Sequence, residues 1–320
     1  MSNEYVLAGD VGGTNLRIAA VDSDGTVVHQ ESVPTPMTRV ASDVVAAISQ
    51  VASSCIANCG ISERPLAFGL AMATLVNSRE GKSLSSPNLP ELNGLSVADA
   101  VSEQVGLQVL LENDATAAAI GEHWLGSSRQ ADNSIFVTLG TGVGGGLILD
   151  GRVFRGADGT AGEIGHICVE PEGHECGCGS RGCVEQYASA TAISRIAEEL
   201  AQKDRTSSLL GGSGVTSKDV YNAAKAGDAV GLETFRIMSR YLGIALAGLV
   251  DVLNPNMIVI GGGAAGAWDL FIDPVRKEII QRAFGPPAKT VRLVRASLGN
   301  SAGILGAARV ALDAQIAHIA

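Results

Sequence analysis

His166, Cys176, Cys178 and Cys183 fall within eighteen positions of this chain. Glycines separate the cysteines, and glycine lets a backbone fold back tightly enough for several thiolates to reach one ion. One His and three Cys make a complete tetrahedral shell for structural zinc. The competing reading is disulfides. Met1-Ser2-Asn3-Glu4 has neither the basic start nor the long apolar run of an export signal. Closely spaced cysteines in a cytosolic chain more often hold metal or do redox chemistry than form staples. Spacing alone leaves the fourth ligand open, because His174 competes with His166 and Cys168 is near. The same stretch carries Glu163 and Glu185, which the metal does not need. The loop therefore reads as a metal-stiffened platform that presents polar groups to something else. Cys55 and Cys59 lie four apart in an apolar helical stretch and read as buried or half-buried thiols.

A second kind of chemistry sits in glycine-rich turns. Asp10-Val11-Gly12-Gly13-Thr14 follows a strand, and its backbone N–H groups and the Thr14 hydroxyl suit phosphate oxygens. Gly140-Thr141-Gly142-Val143-Gly144 offers the same groups again. Either turn alone is more often a plain hairpin; two in matching positions make a clamp for a polyphosphate. Neither is a Walker loop, since no Gly-Lys-Ser/Thr follows, and neither fits a dinucleotide fingerprint, since a strand follows the turn. Asn113-Asp114 stands where a strand yields to a helix, the usual ligand position in α/β sheets. Asp and Asn are also preferred helix caps, so position alone weighs cap and functional carboxylate evenly. Gly261-Gly262-Gly263 ends another strand and permits close approach of a flat ligand, or a simple turn.

The elements that must carry these residues read as α/β. Strands are expected at 5–9, 16–21, 26–28, 65–70, 108–111, 135–139, 145–149, 257–260 and 291–295. Helices are expected at 39–59, 96–105 with Ser96 as N-cap, 115–125, 190–202, 217–226, 229–253, 274–283 and 302–314. The segment 203–214, rich in Ser and Gly, reads as a mobile loop. A strand, a Gly-Thr turn, a second strand and an Asp-Gly turn occur twice: Thr14 and Thr141 are 127 positions apart, Gly25 and Gly151 126. That repetition predicts two related halves. At 320 residues, 46% apolar and only 4% aromatic, with 40 glycines, the core must pack from aliphatic side chains among many turns. The net charge of −10, with no basic run, argues against a nucleic-acid or anionic-membrane partner. The longest apolar stretch, 241–253, contains Asp251 and is too short to span a bilayer. A cytoplasmic protein is expected.

These segments together resemble the ROK family (repressors, open reading frames and sugar kinases), closest to its bacterial glucokinases, over nearly the whole chain. Asp10–Thr14 matches the family's first phosphate motif, Glu112-Asn113-Asp114-Ala115 its catalytic segment and Gly140–Gly146 its second phosphate motif. Ala161-Gly162-Glu163-Ile164-Gly165-His166, with Cys176, Cys178, Cys183 and Glu185, matches its sugar and zinc signature. The family spacing decides for His166 over His174. The resemblance implies an actin-like, hexokinase-type (ribonuclease-H-like) fold of two α/β domains with a cleft between them, expected at 1–115 plus 300–320 and at 116–299, with the zinc loop at 166–183. It implies ATP with Mg²⁺ as donor, a hexose (glucose foremost) as acceptor, structural Zn²⁺ and a homodimer. By the same carry-over Asp114 is the general base on the sugar 6-hydroxyl and Asp10 helps position the metal–phosphate group. Asn88, Asn113, Glu163, His166 and Glu185 bond the sugar hydroxyls, His166 with the ring nitrogen that zinc leaves open.

One segment departs from the pattern. Where glucokinases carry Pro-Gly and then Val-Asp, this chain reads Ala73-Thr74-Leu75-Val76-Asn77, which is expected to bring a side chain near the sugar pocket. The rivals are kinases for N-acetylmannosamine, N-acetylglucosamine, fructose or allose. A sugar-sensing repressor is a rival from another class; such repressors add an N-terminal helix-turn-helix, for which the start at Asp10 is expected to leave no room. A non-catalytic zinc module is a third, against which Asp114 and both phosphate motifs argue.

Overall fold

A computed structural model describes residues 4–36, 38, 40–86, 88–204, 206–209, 211 and 214–319. Met1–Asn3, Arg39 at the expected start of the first helix, Pro87 beside Asn88, and 205, 210, 212 and 213 of the segment read as a loop lie outside the described residues. The chain begins with β1 (Tyr5–Val11), β2 (Asn15–Asp22) and β3 (Val27–Pro34), followed by α1 (Ala41–Asn58). Next come β4 (Phe68–Met72), β5 (Leu75–Asn77), β6 (Lys82–Ser85), α2 (Val97–Val105), β7 (Val109–Asn113) and α3 (Asp114–Trp124). The middle holds β8 (Ser134–Leu139), β9 (Val143–Leu149), β10 (Arg152–Val153), α4 (Glu185–Ala188), α5 (Ala190–Ala201), α6 (Ser217–Lys225) and α7 (Ala229–Leu253). β11 (Met257–Gly261), α8 (Trp268–Arg282), α9 (Pro287–Thr290), β12 (Arg292–Arg295) and α10 (Ala302–Ile319) complete it.

Two five-stranded sheets carry the fold, in the orders β3-β2-β1-β4-β7 and β10-β9-β8-β11-β12. The orders correspond strand for strand, which is the duplication the repeated hairpin predicted. In the first, β1 runs antiparallel to β2 and parallel to β4, and β4 is parallel to β7. In the second, β11 is parallel to β8 and β12. β1 is apolar in nearly every position because both its faces are covered. Tyr5, Leu7 and Val11 pack with Val44, Ile48 and Val101 of α1 and α2, while Val6 and Ala8 pack with Ala117, Ile304 and Ala308 of α3 and α10. The α3–α10 contact is unusually close, since a Cβ on Gly306 would overlap the carbonyl of Ala117. Small residues on both helices therefore seat α3 close against α10, with the partly buried Asp114 at its start.

Chain contacts divide the protein into two units, 1–130 with 146–162 and 297–320, and 131–145 with 163–296. The expected boundary at 115/116 would fall inside α3. A continuous helix packed on α10 cannot be shared, so all of it stays with the first unit. Ser96 stands at the N-cap of α2 as expected, its carbonyl accepting the Ala100 N–H (3.1 Å), but its hydroxyl donates to Asp99 (2.7 Å) and makes no side-chain capping bond. α8 starts at Trp268, before the expected Pro274; Pro274 sits on the exposed face, where water can meet the carbonyl that loses its amide partner. The loop read as mobile is tied down at Ser207 and Ser208, both bonded to Asp228. Cys55 and Cys59 are buried as expected, and burial pushes the Cys55 thiol up to about 12. Among the described residues no helix is long and apolar enough to cross a membrane.

Candidate active site and metal centre

In the second unit, His166, Cys176, Cys178 and Cys183 come together with their ligand atoms all within 4.8 Å of one another. His166 Nδ1 lies 3.6 Å from Cys176 Sγ, and the Sγ atoms of Cys178 and Cys183 are 3.7 Å apart. Two thiolates on one tetrahedral zinc, at about 2.3 Å each, would stand about 3.8 Å apart, and a thiolate and an imidazole nitrogen about 3.6 Å. The donor set and its spacing thus fit zinc. His174 stands apart, against Arg195 (3.0 Å) and the ring of Tyr187. Cys168 is exposed and pairs only through backbone with Cys183. The loop is shaped by backbone bonds from Gly179 N to Cys176 O and from Cys176 N to Ser180 O. At Gly182 (φ 68°) a side chain would overlap the carbonyl of Glu170, so glycine is required there.

With Nδ1 turned to the thiolates, His166 directs Nε2 toward Glu163 Oε2, 3.9 Å away. Partial burial pushes the Glu163 carboxyl above the usual carboxylate range; His166 opposes this and the charge of Glu185 adds to it. Glu185, at the first position of α4, accepts from the Val143 N–H at 2.9 Å. That amide, expected to face phosphate, is therefore already engaged by a residue expected to face sugar. A Cβ on Gly165 would overlap the Val143 carbonyl, and one on Gly142 would press into the Glu185 carboxylate. The second glycine turn and the Glu163–His166 segment are thus one packed cluster. Within that turn Gly140 N–H bonds to Gly142 O (2.9 Å), and Thr141, exposed, has its carbonyl held by Thr191 Oγ1 (2.9 Å). Gly262 takes φ 86°, where a side chain would strike the Leu139 carbonyl. Gly263 opens onto a slot of about 290 Å³, lined also by Ile193, Tyr221 and Phe235, suited to a flat ring.

In the first unit, Asn113 caps α3: its side chain accepts from Thr116 N–H (3.0 Å) and donates to the Thr74 carbonyl (3.2 Å). Asp114, at the first helical position, accepts from Ala115 N–H (2.8 Å) and from Asn113 Nδ2 (3.1 Å). The capping bond between side chain and the third residue on is thus Asn113's, which leaves Asp114 at the first turn of the helix. Asp10, at the end of β1, is ion-paired with Arg17, whose other nitrogen donates to Asn300 O at 2.9 Å. Gly12 N–H is used within its own turn, on Asn15 O (3.0 Å), while Gly13 approaches Asn88 and Thr14 is exposed. Thr74 in the departing segment is buried, its hydroxyl bonded to Ser83 Oγ (2.7 Å) and the Ser85 carbonyl (2.9 Å). It locks β5 to β6 and, through its own carbonyl, orients Asn113. Sequence reasoning gave no role to Glu112, which is 1% exposed and paired with Arg155 at 2.7 Å. Burial pushes its carboxyl up against the pull of Arg155. Glu112 stood inside the recognised motif; Arg155, 43 positions on, carried no signal.

The ROK family model matches residues 6–314. A glucokinase of Streptomyces coelicolor is 36% identical over 312 residues, 95% of this chain and 96% of its own length. The crystal structure of a ROK family glucokinase from Streptomyces griseus, in complex with glucose and AMPPNP, matches with a TM-score of 0.81 at 36% identity, over 97% of this chain and 99% of that one. A xylose repressor of Caldicellulosiruptor bescii is 32% identical over 75% of this chain and 61% of its own length.

Proposed function

This chain belongs to the ROK family, and from that premise we propose that it transfers the terminal phosphoryl group of ATP to the 6-hydroxyl of glucose. The comparisons support a sugar kinase that uses ATP. The observation that carries the finer reading is the start of α3, where Asn113 makes the capping bond and Asp114 presents a carboxylate beside it. Phosphoryl transfer asks chiefly for positioning and charge stabilisation. Asp114 takes the proton of the attacking hydroxyl. Asn88, Asn113, Glu163, His166 and Glu185 bond the sugar hydroxyls, and a site built to pair hydroxyls rejects analogues that lack them. Asp10, Gly12, Gly13, Thr14, Gly140, Thr141, Gly142 and Gly261–Gly263 serve the nucleotide, Asp10 toward the phosphate-bound Mg²⁺. Because Val143 N–H bonds Glu185, its part is to orient that carboxylate. His166, Cys176, Cys178 and Cys183 would hold a structural zinc, which would supply rigidity and no catalytic position, and these ligands would keep His166 turned so that Nε2 stays toward Glu163.

Thr74 motivates the second reading, a kinase for another hexose or an N-acetylhexosamine, because it sets the carbonyl that orients Asn113. The repressor match keeps sugar sensing without catalysis in view. A coupled ADP-release assay over hexoses and N-acetylhexosamines separates all three. Turnover highest with glucose is the expected result. Preference for an N-acetylhexosamine moves the specificity, and saturable sugar binding without ADP release with any sugar overturns the kinase. Homodimerisation belongs to the same proposal, and light scattering reads it.

A further inference from the structure

The first unit contains a cavity of about 1030 Å³ whose lining excludes Asp10, Asn88, Asn113 and Asp114. Five arginines line it: Arg79, Arg129, Arg152, Arg155 and Arg309. The only carboxylates in the lining are Glu112 and Asp313, each bonded to one of these arginines at 2.7 Å, Glu112 to Arg155 and Asp313 to Arg309. Among the described residues Arg129 and Arg152 have no ion-pair partner, and Arg79 feels the charge of Asp158. A chain with a net charge of −10 thus gathers surplus positive charge around one hollow. Such like charges repel one another unless an anion joins them.

Beside the arginines, Ser78 and His123, much of the wall is apolar, with Leu110, Ile120, Trp124, Ile148 and Phe154 among it. Trp124 lies beneath the guanidinium of Arg309, 5.5 Å from its ring centroid, and Phe154 is left 46% exposed at the lining. Aromatic residues are only 4% of the chain, so two in one hollow are a real concentration. Guanidinium groups match phosphate oxygens in paired hydrogen bonds. A bare inorganic ion has no use for an apolar wall, whereas a ring carrying a phosphate uses both. The Ser78 hydroxyl, also in the lining, is buried without a hydrogen-bond partner among the described residues. We propose that this cavity is a binding site for a small organic phosphate of about the size of a monosaccharide phosphate, separate from the residues assigned to catalysis. Glu112 of its lining also accepts the N–H of Asn113 at 3.1 Å, so the cavity reaches the strand that leads to Asp114.

The chain has two tryptophans, so Trp268→Phe leaves Trp124, at the cavity, as the sole tryptophan, read by excitation selective for tryptophan over the four tyrosines. Titrating that protein with glucose 1-phosphate is expected to give a saturable fluorescence change and a matching calorimetric isotherm, with inorganic phosphate binding more weakly. In Arg129→Ser/Arg152→Ser the affinity is expected to fall about 100-fold, roughly tenfold for each lost charged hydrogen bond. Arg129→Lys/Arg152→Lys, which keeps the charge and loses the fork, is expected to fall between. Both arginines are exposed, so the fold is expected to hold, with circular dichroism as the check. No saturable signal by either method, equal affinity for inorganic phosphate, or an affinity unchanged in the double serine variant overturns the proposal. None of these readouts depends on turnover, so failure of the kinase reading leaves this test intact.

Discussion

Asp114 and Thr141 test the two ends of the proposed reaction one side chain at a time. Asp114→Asn keeps the oxygen that accepts the Ala115 N–H, so α3 should start as before. The amide cannot take a proton, and turnover is expected to fall by about 10²–10⁴ with sugar binding little changed. Steady-state kinetics beside equilibrium sugar binding is the measurement; near-normal turnover removes Asp114 from the mechanism. For the nucleotide end Gly142 looks like the natural probe, but a side chain there presses into Glu185 and would disturb sugar and phosphate together. Thr141 is exposed and its carbonyl, not its hydroxyl, is held by Thr191. Thr141→Val should therefore raise the KM for ATP about tenfold, the loss of one hydrogen bond to a charged group, and leave the KM for sugar alone. An effect confined to sugar would refute the assignment of this turn to the nucleotide.

Asp228 shows how an element is set by a residue with no part in the chemistry. It caps α7, accepting from Val230 N–H (2.9 Å) and Gly231 N–H (3.2 Å), and it also holds Ser207 and Ser208 of the preceding segment. Burial works against its charge, but the bonds from Ser208, Gly231 and Ser207 outweigh it and draw the carboxyl down to about 2. A folded-state value below the unfolded 3.8 means this contribution is complete above that pH and is lost as pH falls from 3.8 toward 2. Asp228→Ala is expected to cost about 1 kcal/mol at neutral pH, as cap removal does, and to flatten the acid limb of the stability curve. Denaturant melts between pH 2 and 7 give the comparison; parallel curves for the two proteins would rule the linkage out. The helix and strand assignments from periodicity fared well where burial decides, as in β1, α3 and α7. They went astray where local partners decide: Pro274 was absorbed on an exposed helix face, and the β5–β6 pair was not foreseen, while Ser96 keeps the N-cap position but spends its hydroxyl on Asp99. A three-residue strand has too little pattern to announce itself.

The metal centre ties local ligand geometry to the stability of the second unit. Cys178→Ala should lose zinc by elemental analysis and lower sugar turnover about 10–100-fold, the usual scale when support around a site is removed. His174→Ala should keep the metal, since its ring lies against Arg195 and Tyr187. Wild-type kinetics in a zinc-free variant would make the loop a staple and nothing more. The three cysteine ligands, the two glycine turns and the Asn113-Asp114 junction could be read beforehand from residue type and short spacing; His166 over His174 came from the family resemblance, and the duplicated sheet from a motif that returns 127 positions on. Geometry local to a turn or a strand end is encoded within a few positions. Other features could not be read. Glu112 and Arg155 are 43 positions apart, Val143 and Glu185 are 42 apart, and the five arginines of the cavity are scattered from 79 to 309. Charge pairs and hydrogen bonds of that kind have no period and no fixed spacing. They exist only because chain folding brings distant segments within a few ångströms, where burial strips away water and makes each partner matter.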